Sequence, residues 1–444
     1  MINIHTMEDE GLMTSFSRRH KVLAAALATV FVGSGTATAK AMTELDESEP
    51  QTTFRQAYKE YTTSIKTGKY SPDDLVQLAK QTYQLGKAKF GSRHQKTFML
   101  QQNLANAYLE AGEYSLSATN YAAVLNYLEE TQGDESQAYY FALLDIINLL
   151  QSANKAEKLT ARDLGIAQFG NNQFLGSAFK NSDPLKIKGP EFLNFGAASG
   201  SALCPCVRAI DKLLEVTEEL VTQMPENSLM FRGHTVRTAV SNSWIPKDYR
   251  LINMAKRFNL DAKKIEGENT IVYIESLTYL GQAYFWKQRN KEAMAAFDKV
   301  LALLNSQKLE THPIAMIAHA HLVSLNASKK EIKKAVFHSQ EVAKNKAWVV
   351  KQTLLHRVSP KFPSSKLLVQ NKLSADTKSA SVSLTIDISA KGQPVNIRVK
   401  KSTHCGFDKF ASDAVKQWFF VPKFTNNEFV VVTDFDVTID FIRA

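Results

Sequence analysis

Residues 381–399 read SVSLTIDISAKGQPVNIRV, and residues 429–441 read FVVVTDFDVTIDF. In the first stretch Val382, Leu384, Ile386 and Ile388 alternate with Ser383, Thr385 and Asp387, which is the strand period of two. Ser389–Pro394 supplies a glycine-containing turn, and Val395, Ile397 and Val399 resume the alternation, so the stretch predicts a β-hairpin. Phe407, Phe410, Ala411, Ala414, Val415 and Trp418 then fall at helical spacing on one apolar stripe, and Pro422 closes that segment. In the second stretch Phe429, Val431, Thr433, Phe435, Val437, Ile439 and Phe441 alternate over one long strand, with Val430, Val432, Asp434 and Asp436 on the opposite face. The order strand, strand, helix, strand predicts a small ββαβ domain in which a helix lies across one face of a three-stranded antiparallel sheet.

Upstream, the period changes to three and four from Phe54 to about Phe169, which predicts helices, and a shorter helix is read over Tyr249–Phe258. Leu104, Ala105 and Tyr108 are followed by Gly112, Tyr114, Ala118 and Tyr121. Leu280, Gly281 and Tyr284 are followed by Ala293 and Phe297. These spacings resemble the tetratricopeptide repeat, a helical hairpin with small residues where its helices touch and large ones in the groove. A weaker pair is centred on Ala315, Ala318, Leu322, Ala335 and Phe337, and Tyr58, Tyr61, Ala79 and Tyr83 fit a further degenerate one. Residues 170–265 are less regular, with loop-like stretches at 170–172, 181–184 and 196–200 and an amphipathic helix over Ala209–Met224. The fold class expected is α followed by α+β: a tetratricopeptide-like helical array over residues 50–350, then the ββαβ domain over residues 355–444.

The C-terminal order, with its residues, resembles the TonB C-terminal domain. The landmarks are Pro360-Lys361-Phe362-Pro363, Asp387 to Gly392, Ser402 to Gly406, Phe407-Asp408, Ala411, Ala414, and Trp418-Phe419-Phe420-Val421-Pro422. Phe419 departs from the family, which often has Arg there, and Phe362 stands in place of Tyr. The resemblance implies that the final strand pairs with the TonB box, a short peptide of a TonB-dependent outer-membrane transporter, by strand addition. It places partner-peptide binding at Val430, Val432, Asp434 and Asp436, with Pro360, Phe362 and Pro363 beside that strand.

Arg18-Arg19-His20-Lys21, the 12-residue apolar run Val22–Gly33 and the small residues ending in Ala37-Thr38-Ala39 have the layout of a secretory signal peptide over residues 1–39, with cleavage after Ala39 or Ala41. The run is short of the roughly 20 residues that span a bilayer. Location in the periplasm is expected, with an inner-membrane anchor facing the periplasm as the alternative. The net charge of +10 is thinly spread, and residues 351–444 hold 14 Lys/Arg against 8 Asp/Glu; with no long run of like charge, nucleic acid is not an expected partner. Of the three cysteines, Cys204 and Cys206 lack a second ligand pair for a metal site and Cys405 is isolated. His319 and His321 point to different faces of a helix, so with His312 and His338 they read as satisfied or solvent-facing side chains rather than metal ligands. No nucleophile elbow, zinc-protease motif, phosphate loop or dinucleotide fingerprint occurs, so neither catalytic residues nor a cofactor or metal is expected. The reading is a non-enzymatic periplasmic TonB-system component that binds TonB-dependent outer-membrane transporters or their partners by strand addition and supports energy-coupled uptake. The alternative is a periplasmic repeat scaffold for envelope or cell-wall assembly, not coupled to the proton gradient. The sequence leaves the protein partner of the repeats unknown.

Overall fold

The computed structural model describes residues 49–149, 205–241, 249–345, 353–370 and 379–442, together with 374 and 377. The leader read over residues 1–39, the loop-like stretches within 170–200 and Cys204 lie outside the described residues. The chain divides into two compact units, whose described parts are residues 49–149 with 205–231, and the residues from Arg232 onward.

The first unit is helical. Its helices are α1 (Glu49–Thr67), α2 (Pro72–Phe90), α3 (Gln95–Glu110), α4 (Tyr114–Gln132), α5 (137–149), α6 (Pro205–Gln223) and the start of α7 (Ser228–Ser241). Local chemistry sets the boundaries. Ser71 caps α2 through a reciprocal box with Asp74, Pro72 occupies the first turn, and Gly91 ends the helix at φ +92°, a conformation that favours glycine. Tyr61, Leu75, Ala79, Leu104 and Ala107 form one buried cluster, with Tyr83 packed against it. Tyr58 is exposed, so of the four residues read as a degenerate repeat it alone stands outside.

The second unit begins within α7 and continues through α8 (Arg250–Ile265), α9 (Ile271–Trp286), α10 (Asn290–Ser306), α11 (Pro313–Ser328) and α12 (Ile332–Lys344). From α8 to α12 each helix packs on its neighbour in sequence, which is the nearest-neighbour logic of a repeat array. A side chain on Gly281 would lie 2.9 Å from the Phe297 ring and 3.2 Å from the Ala296 Cβ; glycine is there because α9 and α10 touch. His321 is fully buried and stacks parallel on Phe297 at 4.9 Å, while His319 turns instead to His338, Nδ1 to Nδ1 at 2.8 Å. Phe337 faces outward, 54% exposed, and Ala335 supplies the buried contact of α12 in its place.

The C-terminal domain closes this unit. Its sheet has the order β3-β2-β7, antiparallel throughout, with β2 (Ser379–Ile388) between β3 (Pro394–Ser402) and β7 (Val432–Ile442). Helix α14 (Asp408–Val415) covers one face, and Val382, Leu384, Ile386, Ile388, Phe407, Ala411, Val415, Trp418, Phe420, Ile439 and Phe441 form the core with Leu368 of the short α13 (Ser365–Gln370). Two expectations are corrected. The helix ends at Val415, so Trp418 reaches the core from the segment beyond it. The long final strand is two strands: β6 (Glu428–Val430) folds back on β5 (Lys423–Thr425) as a hairpin, and β7 starts only after the exposed Val431. Asn426 and Asn427, both at positive φ, make that hairpin turn, as Asn readily does.

Strand periodicity also fastens the domain to the repeats. Strand β1 (Leu354–His356) pairs with β4 (Phe419–Phe420), and alternate residues point opposite ways. Trp418 and Phe420 enter the sheet core. Phe419, Val421 and Leu355 are buried instead against Ala320 and Val323 of α11 and Ala335, Val342 and Ala343 of α12, with Phe424 and Phe429 of the hairpin at the margin. Ser324 hydrogen-bonds His356 Nδ1 at 3.0 Å inside this contact.

Gly281→Leu should lower the thermal midpoint of the full chain, with overpacking costing about 1–3 kcal/mol; an unchanged midpoint refutes the helix contact. Phe419→Arg, which installs the residue frequent in the TonB family, buries a guanidinium against Val323 and Ala343. It should cost at least the about 3–5 kcal/mol of truncating a buried Phe and lower the thermal midpoint of the full chain accordingly. Val431→Arg, on an exposed position, should change neither.

Candidate functional site

The edge of the sheet is shaped by one buried carboxylate. Asp387 lies on the central strand, and its neighbours each carry one extra residue beside it. On β7, Phe435 and Val432 oppose Ile386 and Ile388, so three steps face two. On β3, Arg398 and Val395 oppose Thr385 and Asp387 in the same ratio. The extra residues adopt left-handed backbone, Asp434 at φ +56° and Asn396 at φ +48°, which Asp and Asn tolerate better than most residues. Asp387 accepts a hydrogen bond from each: from Asn396 Nδ2 at 2.8 Å and from the Asp434 backbone N–H at 3.1 Å. Arg398 adds a contact at 3.2 Å. The hydrogen bond from Asn396, then that from Asp434 N–H, holds the Asp387 carboxyl below the usual carboxylate range.

The bulge on β7 reverses the facing of its first residues. Phe435, Val437, Ile439 and Phe441 face the helix side as expected, but Val432 also packs against that core. Val430 lies outside β7 altogether, opposite Lys423 in the hairpin. The expectation that Val430 and Val432 lie with Asp434 and Asp436 on the outer face is therefore overturned; a strict period of two cannot survive an inserted residue. Asp434 and Asp436 are exposed on the outer face, where Arg398 reaches Asp434 at 2.7 Å and Lys400 pairs with Asp436. Thr385 also donates to Asp436 at 2.7 Å. Beyond the bulge β7 is regular from Phe435 to Ile442, and β2 is its only strand partner among the described residues.

The other expected site residues take structural places. Pro360 is half-buried and Pro363 buried, while the Phe362 ring meets Phe407 edge-on at 5.3 Å, which in turn meets Phe441 near the end of β7. The remaining landmarks have physical reasons as well. Gly392 sits at φ +75°, and a Cβ there would lie 2.3 Å from the Phe420 carbonyl oxygen; the Phe420 N–H donates to the Gly392 carbonyl at 2.8 Å. The Trp418 indole donates to the Val358 carbonyl at 2.9 Å beneath the Arg357 guanidinium. Sequence reasoning missed the bulge anchor, although a lone Asp between Ile386 and Ile388 was its available signal.

Residues 374–442 match the family described as Gram-negative bacterial TonB protein C-terminal. The C-terminal domain is of the TonB type. A TonB-type domain implies an envelope-associated protein, and among the described residues no helix is long and apolar enough to cross a membrane. The helical region has tetratricopeptide-like structural neighbours. One is a kinesin light chain from Podosopora anserina with nearly identical TPR-like repeats, at 12% identity and a TM-score of 0.40, covering 59% of this chain and 99% of that one. Another is an assembly chaperone of RpL4, residues 1–338, at 13% identity and a TM-score of 0.33, covering 67% of this chain and 92% of that one. No curated protein matches the chain.

Asp387→Ala leaves the Asp434 N–H without its acceptor, so it should lower the thermal midpoint and speed hydrogen exchange at Asp434. Because the carboxyl is depressed in the fold, its stabilisation is present at neutral pH and is lost as falling pH protonates it. The difference between wild type and variant should therefore shrink in acid. Asp436→Ala removes an exposed ion pair and the exposed Thr385 hydrogen bond, and should leave the midpoint nearly unchanged. Equal effects from the two substitutions would contradict the anchoring role of Asp387.

Proposed function

We propose that the protein is a non-enzymatic TonB-system component whose TonB-type domain takes up an extended peptide along the free edge of β7. The observation that carries this reading is that, among the described residues, the outer edge of β7 has no strand partner. An edge strand presents a row of backbone donors and acceptors, and over Phe435–Ile442 that row is uninterrupted, about 27 Å long at 3.4 Å per residue. The peptide segment it fits is the TonB box of an outer-membrane transporter, or a segment of another TonB-system protein, held by main-chain hydrogen bonds. Asp434 and Asp436 flank that edge, whereas Val430, Val432, Pro360, Phe362 and Pro363 shape the domain behind it. The burial of Phe419 and Val421 on the last repeat supports an adaptor role, in which a partner of the repeats and a peptide on β7 are held by one body. The periplasm is the compartment in which this role is exercised, after export through the leader over residues 1–39. A periplasmic scaffold for envelope assembly, uncoupled from the proton gradient, is the second reading, and the same docking favours it if no transporter peptide binds.

Proline tests the edge, because it removes an N–H without adding charge. Backbone N–H groups of successive strand residues point to opposite sides, so Val437→Pro and Thr438→Pro strike different sides of β7. One should break the ladder to β2 and lose the fold by circular dichroism. The other should keep the fold and lose roughly tenfold in capture of a TonB-box peptide, in line with one or two lost hydrogen bonds. Capture that survives in the variant with an intact fold would falsify strand addition on β7.

A further inference from the structure

The contact that seats the TonB-type domain on the last repeat holds a titratable group. His356 ends β1 and is 7% exposed, and Ser324 on α11 is 5% exposed. The Ser324 hydroxyl and His356 Nδ1 meet at 3.0 Å across the contact. The β1–β4 register shifts between Leu354 and His356, which breaks the strand alternation, so Leu355 and His356 both meet the repeat. The β2–β3 turn adds a bond from Gln340 Nε2 of α12 to the Ala390 carbonyl at 3.3 Å. The sheet core is a separate cluster from this contact, so the domain has a core that docking does not supply.

This contact has no counter-ion for an imidazolium. Its buried surfaces are alanine, valine, leucine and phenylalanine side chains. The titratable groups on the surrounding elements are engaged elsewhere or face outward. On α11 and α12, His321 stacks on Phe297, His319 pairs with His338 and Glu341 pairs with Lys344. Beside β1, Arg357 lies over the Trp418 ring, with Asp440 of β7 as its electrostatic partner. Lys391 of the β2–β3 turn, and Lys423 and Glu428 of the hairpin, are exposed. None of them shifts His356, whose pKa is lowered by burial alone. A neutral imidazole satisfies Ser324, whereas a charged one in this apolar contact is costly.

We propose that the docking of the TonB-type domain on the last repeat is acid-sensitive: protonation of His356 releases the domain from α11 and α12 with its own sheet core intact. The sign follows from burial. In the released domain the ring meets water and titrates at about 6.5, whereas in the docked domain it stays neutral further into acid. Docking is therefore at full strength above that pH and weakens as the pH falls below it, until the docked ring is itself protonated. For one proton the weakening between pH 7.5 and 5.0 is at most about thirtyfold. The His319–His338 pair, lowered by burial to about 4, belongs to the contact of α11 with α12 and lies outside the docking cluster. Release does not depend on what the β7 edge binds.

The test uses the full chain with its three cysteines changed to serine and one probe thiol introduced by Val323→Cys, beneath the docked domain. Its rate with 4,4′-dithiodipyridine, divided by the rate of the same chain in urea at the same pH, reads how often the contact opens. From pH 7.5 to 5.0 this ratio should rise severalfold, up to about thirtyfold. Probes at Val300→Cys in the repeats and Val415→Cys in the sheet core, both fully buried positions, should stay protected at pH 5.0, which distinguishes release from unfolding. His356→Gln keeps a hydrogen-bonding group for Ser324 but cannot titrate, and should abolish the rise. His356→Phe, which keeps a ring in the contact, should abolish it too. Both variants retain the His319–His338 pair, so a rise caused by that pair would persist in them. A change of less than about twofold at Val323→Cys, an equal rise at Val300→Cys or Val415→Cys, or a rise that survives in the His356 variants overturns the proposal.

Discussion

A helical hairpin in a stacked array has two apolar faces, and the last one in the array lacks a successor to cover the second. The apolar surface left on α11 and α12 must be removed from water by something, since burial of such surface is the main driving force of the fold. Here the TonB-type domain covers it. Phe419, Val421 and Leu355 occupy the place that a further helix would take, over Ala320, Val323, Ala335, Val342 and Ala343. Small residues on the helices and large ones on the strands let the two surfaces meet closely. The same short strand serves both sides: Phe420 belongs to the sheet core and Phe419 to the repeat. That gives a physical reason for Phe419 standing where the TonB family often has Arg, because an Arg at that position would bring its charge into a dry contact.

Asp387 plays a comparable part within the sheet. A carboxylate on the middle strand is costly to bury unless it is hydrogen-bonded, and the bulges on both neighbours bring Asn396, Arg398 and the Asp434 N–H to it. The bulges have a second effect. They bend and interrupt the two edges, a device that limits uncontrolled edge-to-edge pairing, yet on β7 they leave the run from Phe435 to Ile442 regular. The proposed peptide edge is thus bounded by the geometry that keeps the domain folded.

Recognition at the proposed peptide edge works through the backbone. The edge of β7 offers backbone groups and is tolerant of side-chain identity, so its selectivity must come from flanking groups such as Asp434 and Asp436. The described residues contain no group of three or more His, Cys, Asp or Glu placed to hold a metal ion. The buried histidines are accounted for by packing: His321 stacks on Phe297, and His319 pairs with His338. Burial lowers both partners of that pair to about 4.

The order of elements was legible in the sequence because periodicity is a local property. A period of two marked β2 and β3, the small residues Gly281 and Ala293 marked helix contacts, and the landmarks from Asp387 to Pro422 marked the TonB-type domain. The facing of Val430 and Val432 was not legible, since one inserted residue at Asp434 reverses a strand's faces and its cause lies on β2, 47 positions away. Nor could the sequence distinguish Phe419 from Phe420: both are aromatic, adjacent and buried, and only the arrival of α11 and α12 on one side gives them different partners. Local pattern determined which segments are helix and strand. Tertiary contact decided which side of each segment is inside, because burial depends on what other parts of the chain are brought against it.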